Sequence, residues 1–145
     1  MYGVLLVAHL LAAIAFIGTL FFEVIIWQAA RRPLAQDTRE AADQAIAKRS
    51  RHVLHGVVLV LYGAGIGLAW HHRGALAQPL DSSFGLLLSF KILLALSIVG
   101  HYVWLAYWLK RGRLTPNRGC WLRRSILGHM LLIVVLAKGM FYWQF

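Results

Sequence analysis

Cysteine is all but absent. The single thiol, Cys120, sits in a stretch rich in arginine, so the chain forms no intramolecular disulfide and no cysteine metal cluster. Polar/apolar alternation is missing too. Runs such as VVLVLYGAGIGLAW over 57–70 do not read as barrel strands, which leaves helices as the way to satisfy every backbone group in lipid. There is no internal repeat and no low-complexity segment. No basic segment precedes the first apolar run, and Glu23 and the Arg31-Arg32 pair follow it only after a full spanning length. That run therefore reads as a retained helix and not as a cleaved signal peptide.

Acidic residues are also scarce, five against fifteen Lys and Arg, for a net charge of +10. In a soluble protein such an excess would point to nucleic acid. Here no nucleic-acid motif and no interleaving of aromatic and basic residues supports that partner, and the positions of the charges point to a membrane.

What the chain does contain is four apolar runs, Tyr2 to Ala30, His52 to Trp70, Phe84 to Leu109 and Trp121 to Phe145. A bilayer core about 30 Å thick takes roughly 20 residues of helix, which each run approaches or exceeds. The expected fold is all-α, an integral-membrane four-helix bundle of up-down-up-down topology in one domain covering 1–145. Six cations (Arg31, Arg32, Arg39, Lys48, Arg49, Arg51) separate the first two runs. Six more (Lys110, Arg111, Arg113, Arg118, Arg123, Arg124) surround the last connection, while the middle one holds only Arg73. The positive-inside rule then places both basic loops in the cytoplasm and both termini outside, as expected for a multi-pass protein of a bacterial inner membrane. These loops also suit anionic lipid headgroups.

The connections carry their own signals. RRPLAQDTREAADQAIAKRSR, with alanine at helical spacing, predicts a short interfacial helix behind Pro33. Gln78-Pro79-Leu80-Asp81 predicts a turn, with Asp81 or Ser82 capping the third helix. Thr115-Pro116-Asn117 predicts the last turn.

Polar residues inside the spans locate the function, because ionisable groups at depth are costly and mark cofactors, ion paths or proton relays. With Arg51, Lys110 and Arg124 as cytoplasmic markers and ~1.5 Å per residue, His55 lies ~6 Å in, His129 ~8 Å and His101 ~14 Å. His9 and Lys91 share a level near the opposite face. First and third helices are diagonal in such a bundle, as are second and fourth, so His55 could face His129 and His9 could face Lys91. Imidazole ligates haem iron, and a haem between helices needs two such groups at one level. His55 and His129 meet that condition best and would be the metal ligands. His101 is the substitute ligand, or a hydrogen-bonding group behind the ligand.

Each of these histidines adjoins a glycine, Gly56, Gly100 or Gly128, where a flat macrocycle can approach the backbone. Gly63-x-x-x-Gly67 reads first as a packing face between helices. Arg51, His52, Arg123 and Arg124 are within reach of haem propionates. A lone intramembrane histidine also serves as a helix clamp, but histidines on all four spans are harder to explain that way.

Lys91 either snorkels outward or, beside His9, binds a carboxylate, a propionate or the iron. Lys138 follows His129 by nine positions, about 180° round the helix, so the two cannot share one face. Glu23 near the cytoplasmic rim pairs with Arg51 or another cation, or moves protons to a redox site. His71 and His72 fall at the outer rim, and Trp27, Trp70, Trp104, Trp108, Trp121 and Trp143 mark the interfaces.

HLLAAIAFIGTLFF, His9 to Phe22, resembles the opening helix of the CopD-like and HemJ-like membrane proteins, with an early histidine, an aromatic, a glycine and an aromatic cluster. SSFGLLLSFKILLALSIVGH, Ser82 to His101, is similar to their third-helix pattern of an aromatic-glycine pair and a central lysine. The HemJ-like resemblance implies protoporphyrinogen oxidation, with His9 and Lys91 matching that family's first-helix and third-helix pair. Two features depart from that pattern. EVIIWQAARR replaces the proline-arginine-aromatic continuation after Phe22, and LHGVV at Leu54 to Val58 lacks the usual second-helix proline. The CopD-like resemblance implies copper uptake or resistance. Copper(I) favours thioether and thiolate ligands, and the spans offer only Met130 and Met140; histidine alone suits copper(II).

The expectation is therefore a membrane protein holding one or two haem b groups, with His55 and His129 as the axial pair and a second haem or a substrate group between His9 and Lys91. The reaction class is one-electron transfer between a quinol or porphyrinogen and an acceptor. Copper transport and porphyrinogen oxidation are the alternatives. A second copy of the chain or a redox partner subunit is compatible with this reading.

Overall fold

The computed structural model describes residues 1–113 and 115–142, with the backbone alone at Leu109, Pro116 and Asn117. Trp143, one of the expected interface markers, and the end of the fourth run at Phe145 lie outside the described residues. Every regular element among the described residues is helical. Four helices are long and apolar enough to cross a membrane, as expected for an all-α membrane fold. We label the elements α1 (Tyr2–Ala30), α2 (Gln36–His71), α3 (Arg73–Ala77), α4 (Ser83–Lys110) and α5 (Pro116–Tyr142). The contacts divide the chain into two compact units, Met1–His71 and His72–Phe145.

The first unit is a hairpin of α1 and α2. Leu5 lies against Gly67, His9 against Gly65 and Leu61, and Trp27 against Asp43. As one number rises the other falls, so the helices are antiparallel. Ala12, Phe16, Leu20 and Val24 are buried, one residue every four along a single face, and Leu61 and Ala64 are the buried positions of α2. The expected packing pair is corrected in one half. Gly67 does meet Leu5, but a Cβ on Gly63 would meet nothing. The second close approach is made by Gly65, where a Cβ would stand 3.2 Å from His9 Cε1.

Two further features differ from the sequence expectation. The helix behind Pro33 is not a separate interfacial piece, because α2 runs unbroken through 36 residues, ~54 Å at 1.5 Å per residue. No proline or glycine lies between Gln36 and His55 to stop it. The other feature lies in α1, where Phe22–Trp27 is π-helical. Single π segments inside α-helices are uncommon and concentrate at functional sites. Glu23, on this segment, is the one buried charged residue among the described residues. Just beyond, Asp43 accepts from Trp27 Nε1 at 2.6 Å and pairs with Arg31, tying the end of α1 to α2.

The second unit is the hairpin of α4 and α5, preceded by α3. Ser82 caps α4, its Oγ accepting from the Gly85 amide at 3.0 Å. Gly85 is buried beneath α3, and a Cβ there would stand 2.8 Å from the Ala75 carbonyl oxygen. Leu87, Leu88 and Met140 pack together at this end, and Ile98, Leu122, Ile126, Leu127 and Met130 are buried farther along. The last turn is not at Thr115-Pro116-Asn117, since α5 already begins at Pro116 with Thr115 before it. Proline suits a first helical position because its missing N–H has no intrahelical partner there. The chain reverses at Gly112, whose φ of +62° is the left-handed conformation glycine adopts without strain. Arg113 N donates to Trp108 O at 2.9 Å, closing the C-terminal cap of α4.

The outer surface is apolar along much of both hairpins. Leu11, Leu59, Ile66, Leu93, Val103 and Phe141 are each more than half exposed, which is stable against acyl chains and not against water. Within lipid, apolar burial drives little association, so close packing and interhelical hydrogen bonds hold each hairpin.

Candidate functional site

A polar cluster within the spans joins α4 to α5. His101 Nδ1 lies 2.7 Å from the Ser97 carbonyl oxygen, and His129 Nδ1 lies 2.7 Å from that of Ser125. A carbonyl only accepts, so Nδ1 carries the proton on both rings and Nε2 is left as an acceptor. Each Nε2 takes a hydroxyl proton from the other helix. Ser125 Oγ donates to His101 at 3.0 Å, and Ser97 Oγ donates to His129 at 3.3 Å. The rings stand edge to face with centroids 5.1 Å apart, and Trp121 stacks beside His101.

This exchange is written twice in the chain as Ser-x-x-x-His, Ser97 to His101 and Ser125 to His129. One helical turn lets each histidine reach back to its own serine's carbonyl, while the hydroxyl of that serine is left for the neighbouring helix. The two serines are the functional candidates that the sequence reading missed, and the repeated spacing is the signal that would have found them.

The same contacts correct the depths. Ser97 with His129, His101 with Ser125, and Phe84 with Phe141 fix one antiparallel register, in which Lys110 falls opposite Pro116 and Arg124 opposite Tyr102. Lys110 and Arg124 are therefore about eight residues, or ~12 Å, apart in level and do not mark one plane. The apolar span of α4 is Ser83–Trp108, and Arg123 and Arg124 lie beside Val103 and Tyr102, short of its end at the α4–α5 turn. On that scale His129, level with Ser97, lies about one turn deeper than His101, the reverse of the expected order.

In the first unit the His9 ring crosses to α2, where Nδ1 donates to the Leu61 carbonyl at 2.9 Å. The missing side chain of Gly65 admits it. His55 is exposed, with Nδ1 donating to the Arg51 carbonyl one turn back, and His52 does the same to Lys48. His55 and His9 thus belong to one unit and His129 and Lys91 to the other. Lys91 is half-buried, and Arg51 and Arg124 are exposed. Gly56, Gly100 and Gly128 are exposed, and a Cβ on any of them would meet nothing, so none is a tight contact within its hairpin. Lys138 faces outward in a shallow groove with Val134, Val135, Gly139 and Tyr142, while His129 turns toward α4, as their half-turn separation requires.

No group of three or more His, Cys, Asp or Glu among the described residues could hold a metal ion. His101 and His129 also do not fit as the two axial ligands of one iron. A macrocycle needs a flat gap between rings that share an axis, whereas these touch at 65° with both Nε2 atoms on serines. Compared with known proteins, the chain matches no family model, no curated protein and no solved structure.

Proposed function

We propose that this chain is a membrane-embedded haem b protein that passes single electrons, in which His55 and His129 are the residues that would hold haem iron. One observation carries the reading. His9, His55, His101 and His129 each have Nδ1 on a backbone carbonyl, the tautomer in which Nε2 is the basic nitrogen. That arrangement, with the remote N–H tied to a carbonyl, is how proteins orient a ligating imidazole.

Two of these nitrogens are open to a ligand. His55 Nε2 has no hydrogen-bond partner among the described residues. His129 holds its serine by the longer of the two cross-helix bonds, and releasing a bond of that kind costs about 1 kcal/mol. The iron, when bound, supplies one-electron chemistry. The protein's own residues do the rest: the Arg51 and Ser125 carbonyls fix ring orientation, Ser97 occupies the His129 nitrogen until a ligand takes it, and the apolar helices exclude water. The likeness of the first and third spans to CopD-like and HemJ-like proteins accords with this reading, with a quinol or porphyrinogen as electron source and the basic loops on the cytoplasmic side of the inner membrane.

The serine contacts favour a second reading, in which His101 and His129 only lock two helices together. An optical spectrum of the detergent-purified chain separates the two. The haem reading expects a Soret band with sharp reduced α and β bands, lost in His55→Ala and His129→Ala. A colourless preparation that stays colourless after haem is supplied refutes it.

A further inference from the structure

The connection between α4 and α5 is charged in a way the rest of the chain is not. From Ser82 to the C-terminus there is no Asp or Glu, yet six cations lie between Lys110 and Arg124. The other basic connection carries its own anions, Asp37, Glu40 and Asp43, and uses one of them in the Arg31–Asp43 pair. In the α4–α5 turn the arginines are set on aromatic rings instead. The Arg111 guanidinium lies 5.2 Å from the Tyr107 ring centre, and that of Arg118 lies 5.0 Å from Trp108. Arg118 Nη1 also donates to the Arg113 carbonyl at 3.1 Å, on the turn that Gly112 makes possible.

A guanidinium over an aromatic face is held by the ring quadrupole while its remaining N–H groups stay available to a ligand. It has lost part of its side-chain freedom before any ligand arrives. Tryptophan and tyrosine are enriched at the headgroup layer, and Tyr107 and Trp108 stand at the very end of the apolar span Ser83–Trp108. Arg111, just past the end of α4, and Arg118, in the first turn of α5, offer one fork to each of two phosphodiesters, since the guanidinium donates in parallel to a pair of phosphate oxygens.

We propose that the α4–α5 turn is a headgroup site for an anionic phospholipid carrying two phosphodiesters, gripped by Arg111 and Arg118. The inference does not depend on haem. Its test is native mass spectrometry of the full chain in neutral detergent, titrated with diphosphatidylglycerol and, separately, phosphatidylcholine. One tightly bound diphosphatidylglycerol is expected, against none of the zwitterionic lipid. Arg111→Gln with Arg118→Gln should weaken the first binding event roughly tenfold, about 1.4 kcal/mol. The charge-matched pair Arg32→Gln with Arg39→Gln should change it by less than about twofold, which is under 0.5 kcal/mol. Arg111→Lys with Arg118→Lys, which keeps the charge and is safe for folding, should still weaken binding, because an ammonium lacks the fork. Millimolar inorganic phosphate should not displace the lipid. Equal weakening by both glutamine pairs, no effect of the lysine pair, displacement by phosphate, or equal binding of phosphatidylcholine would each overturn the assignment.

Discussion

Removing the Ser97 hydroxyl tests whether the serine–histidine exchange holds α4 to α5. In Ser97→Ala the His129 ring keeps its Nδ1 bond to the Ser125 carbonyl but loses the donor at Nε2. Interhelical hydrogen bonds in membranes average ≈ 0.6 kcal/mol and reach ≈ 1.7. The bond lost here is the longer of the two, at 3.3 Å, so the cost should fall near the average. Ser125→Ala removes the 3.0 Å bond and should cost more, toward the upper figure. Together the two substitutions should lower hairpin stability by about 1–2 kcal/mol, a five- to thirty-fold shift in the unfolding equilibrium. The assay is reversible unfolding of the full chain in mixed detergent micelles, run as a double-mutant cycle of Ser97→Ala against His129→Leu. Ser89→Ala is the control, because Ser89 donates only to the Gly85 carbonyl of its own helix. A coupling of zero within error, or a Ser89→Ala effect as large as that of Ser125→Ala, would refute the lock.

Further outcomes concern individual glycines. Gly65→Val should destabilise the first hairpin by roughly 1–3 kcal/mol, because even a Cβ crowds His9 Cε1 and a branched side chain must push the ring from the Leu61 carbonyl; a neutral result in the same unfolding assay would show that the ring is not seated there. Gly85→Ala places a methyl 2.8 Å from the rigid Ala75 carbonyl oxygen and should cost a similar amount, about 1–3 kcal/mol, with α3 becoming more accessible to protease. Gly112→Ala meets no neighbouring atom but forces a left-handed residue, about 1–2 kcal/mol, whereas the same change at Gly128 should be close to neutral.

The four spans were legible because each is a long apolar run, and length together with apolar composition is what marks a helix able to cross. The ends were less so. The sequence suggested a break before His52 from the change in polarity, but polarity does not stop a helix, and α2 continues through Gln36–Arg51 because nothing there disfavours it. Ser82 was readable as a cap because its chemistry is local. The Thr115-Pro116-Asn117 turn failed because proline also opens helices, and Gly112 was the stronger reversal signal. At the site, His101 and His129 were recognised as costly groups. Their relative depth was misread because cations snorkel over several residues, and only side-chain contacts fix the register. Gly65 was overlooked in favour of Gly63, since a four-residue glycine spacing describes one kind of contact and does not foresee an imidazole crossing to a carbonyl.

The wide turn at Phe22–Trp27 has a consequence for how this hairpin tolerates length changes. Each hydrogen bond there closes over one residue more than in the flanking α-helix, so the segment resets the rotational phase between the Ala12–Leu20 stripe and Trp27. Deleting one residue inside it would restore ordinary winding and leave the indole and Arg31 close to their present direction, still toward Asp43. A deletion in the flanking α-helix would instead turn everything beyond it by about 100°, which makes this single wide turn the place where α1 can lose a residue and keep its packing on both sides.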